Sequence, residues 1–150
     1  MKEKILVIAA HPDDEVLGCG GSIAKLSKQG ATVHIAFLAD GVFSRMGDAK
    51  IKENELTERR LAAENACKIL GAQSISFGEL PDNQLDTVPL LDIICVVEKI
   101  IKKYKPNTLF THHGGDLNVD HRLTHDAVLT ACRPQADNTV KTLLFFEVPS

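Results

Sequence analysis

Two short stretches hold most of the side chains in this 150-residue chain that can do chemistry: His11-Pro12-Asp13-Asp14-Glu15, and His112 to His121. Of the six histidines, His11 lies in the first stretch, and His112, His113, His121 and His125 fall in or just after the second. Only His34 stands elsewhere, in a strand-like alternation where it reads as simply packed or exposed. In the first stretch, Pro12 fixes its own φ and restricts His11 to an extended backbone. Asp13 and Asp14 stand where a helix should start, and carboxylates there suit the dipole and cap free N–H groups. Capping explains one acid well. It leaves the histidine and the second acid unexplained. A metal site explains all three. His11 and Asp14, three residues apart across a tight turn, can face one cation, while Asp13 projects differently and can reach a water beside it. A catalytic zinc takes three N and O ligands and keeps one position open. The second stretch can supply the third ligand, and His121, at the start of a helix, is the best candidate. Its neighbour Asp120 can orient a histidine or bind substrate. His125, four residues after His121, shares a helix face with it, a spacing compatible with two ligands and equally with packing. His112 and His113 precede Gly114-Gly115, which allow close backbone approach to the same region. Zinc suits two imidazoles and a carboxylate, and another divalent ion such as ferrous iron can also bind such a set.

The elements that must position these residues alternate along the chain. Strands are expected over Lys4 to Ala10, Ala31 to Leu38, Ser74 to Phe77, Thr108 to His112 and Lys141 to Val148. Helices are expected over Val16 to Gln29, Thr57 to Leu70, Leu90 to Tyr104 and His121 to Cys132, with Gly30 and Gly71 ending the first two. The pattern β-α-β-α-β-α-β-α-β implies an α/β three-layer sandwich, a mainly parallel sheet of about five strands with helices on both faces. Ligands in such folds bind beyond the carboxyl ends of the strands, where the strand order reverses. The first and fourth strands should meet there. Their following loops are the two stretches above. Asp40-Gly41, after the second strand, also falls at that edge and reads as a turn.

The first stretch, with Gly18, Gly20 and Gly21 in the helix turn after it, resembles the PIG-L/LmbE family of N-acetylglucosaminyl deacetylases. Arg59-Arg60 at the head of the second helix, Leu80-Pro81-Asp82 after the third strand, and Asp120-His121 after the fourth are similar to further family features. The resemblance runs over essentially the whole chain. It implies a Rossmann-like fold and zinc-dependent hydrolysis of acetamido groups on sugars and sugar conjugates. Carried onto matching positions, it makes His11, Asp14 and His121 metal ligands and Asp13 the general base. Two departures stand out. Many members have His-Pro-Asp-His in the second motif, whose first histidine helps stabilise the intermediate. Here the tetrad is Asn118-Val119-Asp120-His121, so Asn118 can donate a hydrogen bond to an oxyanion but can neither carry charge nor transfer a proton. Proton return to the leaving amine then falls to Asp13, His112, His113 or His125. The second departure is length: members usually run several tens of residues further, so residues 1–150 read as a single LmbE-like deacetylase domain, either shortened at its C-terminal side or a genuinely short protein.

Arg59 and Arg60 can pair with substrate hydroxyls or a phosphate, and equally form a solvated charged face. Asp82 is a substrate-binding candidate at the mouth of the site, with a plain Pro81-Asp82-Asn83 turn as the alternative. Gly18-Cys19-Gly20-Gly21 fits neither G-x-G-x-x-G nor the P-loop, which argues against a nucleotide cofactor. The 17 Lys and Arg against 20 Asp and Glu leave a net charge of −3, which argues against nucleic acid as partner. No apolar run approaches the ~20 residues of a membrane helix. Four separated cysteines without a C-x-x-C pair and no export signal read as reduced, mostly buried thiols of a cytoplasmic protein. Partners are then an N-acetylated sugar or glycoconjugate and, for assembly, further copies of the chain. Two rivals share the fold: another metal hydrolase such as a phosphoesterase, and a non-catalytic metal- or sugar-binding module.

Overall fold

The computed structural model describes residues 3–39 and 49–149. The strands are β1 (Lys4–Ala9), β2 (Thr32–Ala39), β3 (Ser74–Leu80), β4 (Thr108–His112) and β5 (Thr142–Phe146). The helices are α1 (Asp14–Lys28), α2 (Ala49–Leu70), α3 (Leu90–Tyr104) and α4 (Val119–Ala131), with a 3-10 turn at Leu85–Thr87. The five strands form one sheet in the order β3-β2-β1-β4-β5, and every pairing is parallel. The three-layer α/β architecture expected from the sequence is the one observed.

β1 is apolar at every position from Ile5 to Ala9 because both of its faces are covered. Alternate residues go to opposite cores. Ile5, Val7 and Ala9 pack with Cys19 and Ile23 of α1 and with Ala63 and Cys67 of α2. Leu6 and Ile8 pack with Ile93, Val97 and Ile101 of α3 and with Ala127, Val128 and Ala131 of α4. Each fully buried aliphatic side chain of this kind stabilises the fold by about 1.5–3 kcal/mol relative to an exposed one. From β1 the chain moves outward through β2 and β3, then returns to place β4 on the other side of β1. The order therefore reverses between β1 and β4, which puts the two chemistry-bearing loops beside each other.

Element boundaries differ from expectation in ways that have causes. α2 begins at Ala49 rather than Thr57, since its first turns carry exposed Glu53, Asn54 and Glu55, good enough helix formers with no apolar periodicity to read. β3 continues past Phe77 to Leu80. Gly78 lies at a register shift against β2, where a Cβ would come within 2.3 Å of the Leu38 carbonyl oxygen. The Asp40-Gly41 turn lies outside the described residues. All four cysteines are free thiols, but only Cys19 and Cys67 are buried, Cys95 being exposed. Among the described residues no helix is long and apolar enough to cross a membrane. His34 is half-buried, bonded through Nδ1 to Ser74 Oγ at 2.7 Å and stacked on Tyr104, a packing role.

Candidate active site

The two acids at the start of α1 leave its N–H groups uncapped. Asp14 turns back, and its Oδ2 accepts the His11 N–H at 2.8 Å. Asp13 occupies the N-cap position of α1, yet its side chain makes no capping bond. The capping role that the sequence allowed these acids is therefore not the one they take. Asp13 is also held at φ 124°, a left-handed conformation that costs a non-glycine residue on the order of 1–3 kcal/mol and concentrates at functional sites.

The second loop is built on β4. His112, the last residue of that strand, reaches towards the extension of β1, and its Nε2 accepts the Ala10 N–H at 2.9 Å. The Nδ1 of His125, in the second turn of α4, bonds the His112 carbonyl at 2.8 Å. Asn118 caps α4 by accepting the Asp120 N–H at 2.8 Å. That cap fixes Asp120 and His121 in the first turn, both buried.

Where the loops meet, two imidazoles flank one carboxylate. His11 presents Nδ1 to Asp14 Oδ2 at 3.4 Å, and His121 presents Nε2 to Asp14 Oδ1 at 3.3 Å. The other nitrogen of each ring rests on a different acid. Nε2 of His11 lies 2.8 Å from Asp120 Oδ2 and 3.2 Å from Asp82 Oδ1, and Nδ1 of His121 lies 3.0 Å from Asp116 Oδ2. Candidate ligand atoms of His11, Asp14 and His121 all lie within 4.8 Å of one another. Two further triads, His112-Asp116-His121 and His11-Asp82-Asp120, meet the same distance, but neither includes Asp14, on which both His11 and His121 converge. A histidine that ligates a metal characteristically gives its second nitrogen to a carboxylate, which fixes the tautomer. The His11 ring has that arrangement through Asp120, and the His121 Nδ1 stands 3.0 Å from Asp116 Oδ2.

The electrostatics favour a cation. Burial works against a charged His11, but its bonds to Asp120 and Asp14 prevail and push it up to about 10. Burial likewise opposes charge on Asp14, and the bonds from His11, His112 and His121 overcome it and hold the carboxyl far below the usual range. His121 is raised, its burial outweighed by Asp14 and Asp116. His112 goes the other way, lowered by burial despite Asp14, and its Nε2 lies 2.9 Å from the Ala10 N and 3.3 Å from Asp14 Oδ2. Two imidazole nitrogens and a carboxylate converging in this way fit a divalent metal ion.

The family model for PIG-L, GlcNAc-PI de-N-acetylase, matches residues 6–132 of this chain. The chain belongs to that family. Among relatives of the PIG-L family, the "Uncharacterized deacetylase YaiS" of Escherichia coli (strain K12) is 31% identical over 154 residues, covering 99% of this chain and 76% of its own. A "Probable N-acetyl-alpha-D-glucosaminyl L-malate deacetylase 2" of Bacillus subtilis (strain 168) is 33% identical over 135 residues, covering 87% of this chain and 61% of its own. The structure of N,N'-diacetylchitobiose deacetylase from Pyrococcus horikoshii superposes with a TM-score of 0.78 at 26% identity, covering 91% of this chain and 52% of that one. This chain thus spans about half to three quarters of the length of these PIG-L-family proteins.

The other residues singled out by this PIG-L-family sequence take various places. Asp13 is exposed by area, yet partial burial first and the charge of Asp14 second push its carboxyl up, while Arg59 pulls it back. Arg59 is exposed on α2 and close enough for that pull. Arg60 instead lies over the Phe77 ring, 5.3 Å from its centroid. Asp82, expected at the mouth, is buried at 2% exposure behind His11, because the β3–α3 loop folds inward onto Asp120. Asp120 accepts the Asn83 N–H at 2.7 Å and the Leu85 N–H at 3.0 Å. The Asn118 amide donates to Asn83 Oδ1 at 3.2 Å while its oxygen caps the helix. Of the His112-His113 pair, His112 enters the site, stacked on His121 at 4.0 Å, and His113 is exposed. His125 packs on Phe145 and belongs to none of the metal-capable triads among the described residues. Sequence reasoning passed over Asp116 and Glu15. An acid in the same loop as His121 was the available signal for the first. Glu15 had none beyond its place in the motif.

Proposed function

We propose that the chain is a zinc-dependent hydrolase that removes the acetyl group from an N-acetylated amino sugar or sugar conjugate, as a cytoplasmic enzyme. The observation that carries this reading is the pair of imidazoles that share Asp14 and each lean on a further acid. It is supported by membership of a de-N-acetylase family. In the proposal His11 Nδ1, Asp14 and His121 Nε2 hold the ion, and Asp120 and Asp116 keep the two rings turned inward. A bound zinc supplies Lewis acidity, making water more acidic at neutral pH and polarising the amide carbonyl.

The remaining steps belong to the protein. Asp13 takes a proton from the attacking water, a task helped by a carboxyl pushed above its ordinary range. The water oxygen bonds to the amide carbon, the C–N bond breaks, and Asp13 returns the proton to the departing amine. The products are acetate and a free amino sugar. His113, being exposed, and His125, committed to the His112 carbonyl, are poorly placed to share that transfer. The Asn118 amide, adjacent to the site on the N-cap of α4, supplies a neutral donor for the developing oxyanion. Arg59, whose charge reaches Asp13, contacts the substrate's polar groups, whereas Asp82 acts from behind His11.

The test is acetate release from a panel of N-acetylhexosamines and their conjugates, with the zinc-loaded protein and with chelator added. Release from at least one member, abolished by chelator and restored by zinc, is expected. No release from any member by the loaded protein, or release indifferent to chelator, overturns the reading.

A further inference from the structure

Glu15 is the most deeply buried acid whose role the site does not use. It is fully enclosed, at 0% exposure, in the first turn of α1. Its Oε2 accepts the Asp13 N–H at 3.0 Å, while Oε1 is buried with no hydrogen-bond partner among the described residues. A carboxylic side chain is costly in such a place unless something requires it there. The local geometry identifies what that is. In an ordinary capping box the N-cap side chain bonds a first-turn N–H while an acid in that turn reaches back to the N-cap N–H. Here only the second half exists. Glu15 reaches back to Asp13, and Asp13 does not cap in return. The Asp13 carbonyl still accepts the first helical bonds, from Val16 and Leu17 at 3.0 Å each, so the helix start is formed without the Asp13 side chain. With φ at 124° the Asp13 backbone is turned out of the extended range usual for an N-cap.

We propose that Glu15 is a positioning residue: by holding the Asp13 N–H it keeps that backbone turned and the Asp13 carboxylate out of the helix cap, free to act on water. The inference rests on the reading of Asp13 as general base. Without the acceptor, Asp13 relaxes to an ordinary N-cap, and its carboxylate closes onto the free N–H groups of α1. The base is then spent on capping while the fold and the ligands remain.

The test compares Glu15→Met, similar in size with no oxygen, and Glu15→Gln, which keeps an acceptor, with the zinc-loaded parent. For Glu15→Met we expect kcat down about 100-fold or more, the scale of a lost general base, with KM and bound zinc within about twofold. Glu15→Gln should return kcat to within about tenfold of the parent, because the hydrogen bond needs an oxygen and not a charge. A folded, zinc-loaded Glu15→Met with parental kcat overturns the proposal, as does Glu15→Gln with the same loss as Glu15→Met. Should Glu15→Met not fold, hydrogen exchange of the Asp13 amide in the parent decides. Protection is expected, and exchange at the rate of an open loop overturns it. Asp13→Asn separates the two claims. If that variant keeps full turnover, the general-base reading fails, whereas an inactive Asp13→Asn beside a fully active Glu15→Met defeats only the role given to Glu15.

Discussion

Metal uptake should be coupled to a proton on His11, and the size of the coupling follows from the geometry. Without the ion, Asp120 and Asp14 hold that imidazole charged up to about 10. Ligation through Nδ1 requires the neutral ring, so at pH 7.5 the proton must leave first. That displacement lowers apparent affinity by roughly two to three orders of magnitude relative to a deprotonated site. Affinity should therefore rise about tenfold per pH unit between roughly pH 7.5 and 9.5, with about one proton released per ion. At lower pH His121, also raised, adds to the slope. Competition against a chromophoric chelator of known pH dependence gives the affinities, and calorimetry in two buffers of different ionisation enthalpy counts the protons. The same linkage has a sign for stability. The His11 contribution to the metal-free fold is complete below the ordinary histidine value of 6.5 and is lost as pH rises through about 10. A metal affinity flat from pH 7.5 to 9.5, with no proton released, would refute this account of how the rings are held.

Asp13→Asn should keep its zinc by elemental analysis and lose turnover by about 10²–10⁴-fold in steady-state acetate release. Asp120→Asn removes the charge behind His11 and should weaken zinc about 10–100-fold in the chelator competition; it should also lower the His11 titration followed by NMR. His11→Ala and His121→Ala should each reduce zinc stoichiometry, and unchanged stoichiometry in either removes that residue from the ligand set. Leu6→Ala, at a fully buried position of the sheet, should cost about 2–5 kcal/mol in urea unfolding of the metal-free protein.

The sheet was legible because β1 is apolar without alternation and the helices carry face periodicity. The meeting of β1 with β4 then follows from topology alone. The triad was legible for a similar reason: both loops leave adjacent strand ends, so His11, Asp14 and His121 had to converge. What lay beyond reach was orientation. Nothing in a run of two acids says that Asp14 folds back onto the His11 N–H, or that Asp13 sits at φ 124°. The inward fold of Asp82 depends on Asp120 drawing in the Asn83 and Leu85 amides, a tertiary contact with no local signature. Asp116 was overlooked because its meaning comes only from the second nitrogen of His121. The early start of α2 was hidden because its opening turns expose polar residues with no stripe to read.

The bond from Ala10 to His112 joins positions separated by 102 residues, and that from His11 to Asp120 joins positions separated by 109. Contacts so distant in sequence form only after a large loop-closure cost is met, and parallel pairings of this kind are slow. A ribosome must therefore deliver nearly all of the matched region before the two halves of the centre can meet. Capture of an ion by His11, Asp14 and His121 would then follow the pairing of β1 with β4 rather than seed it.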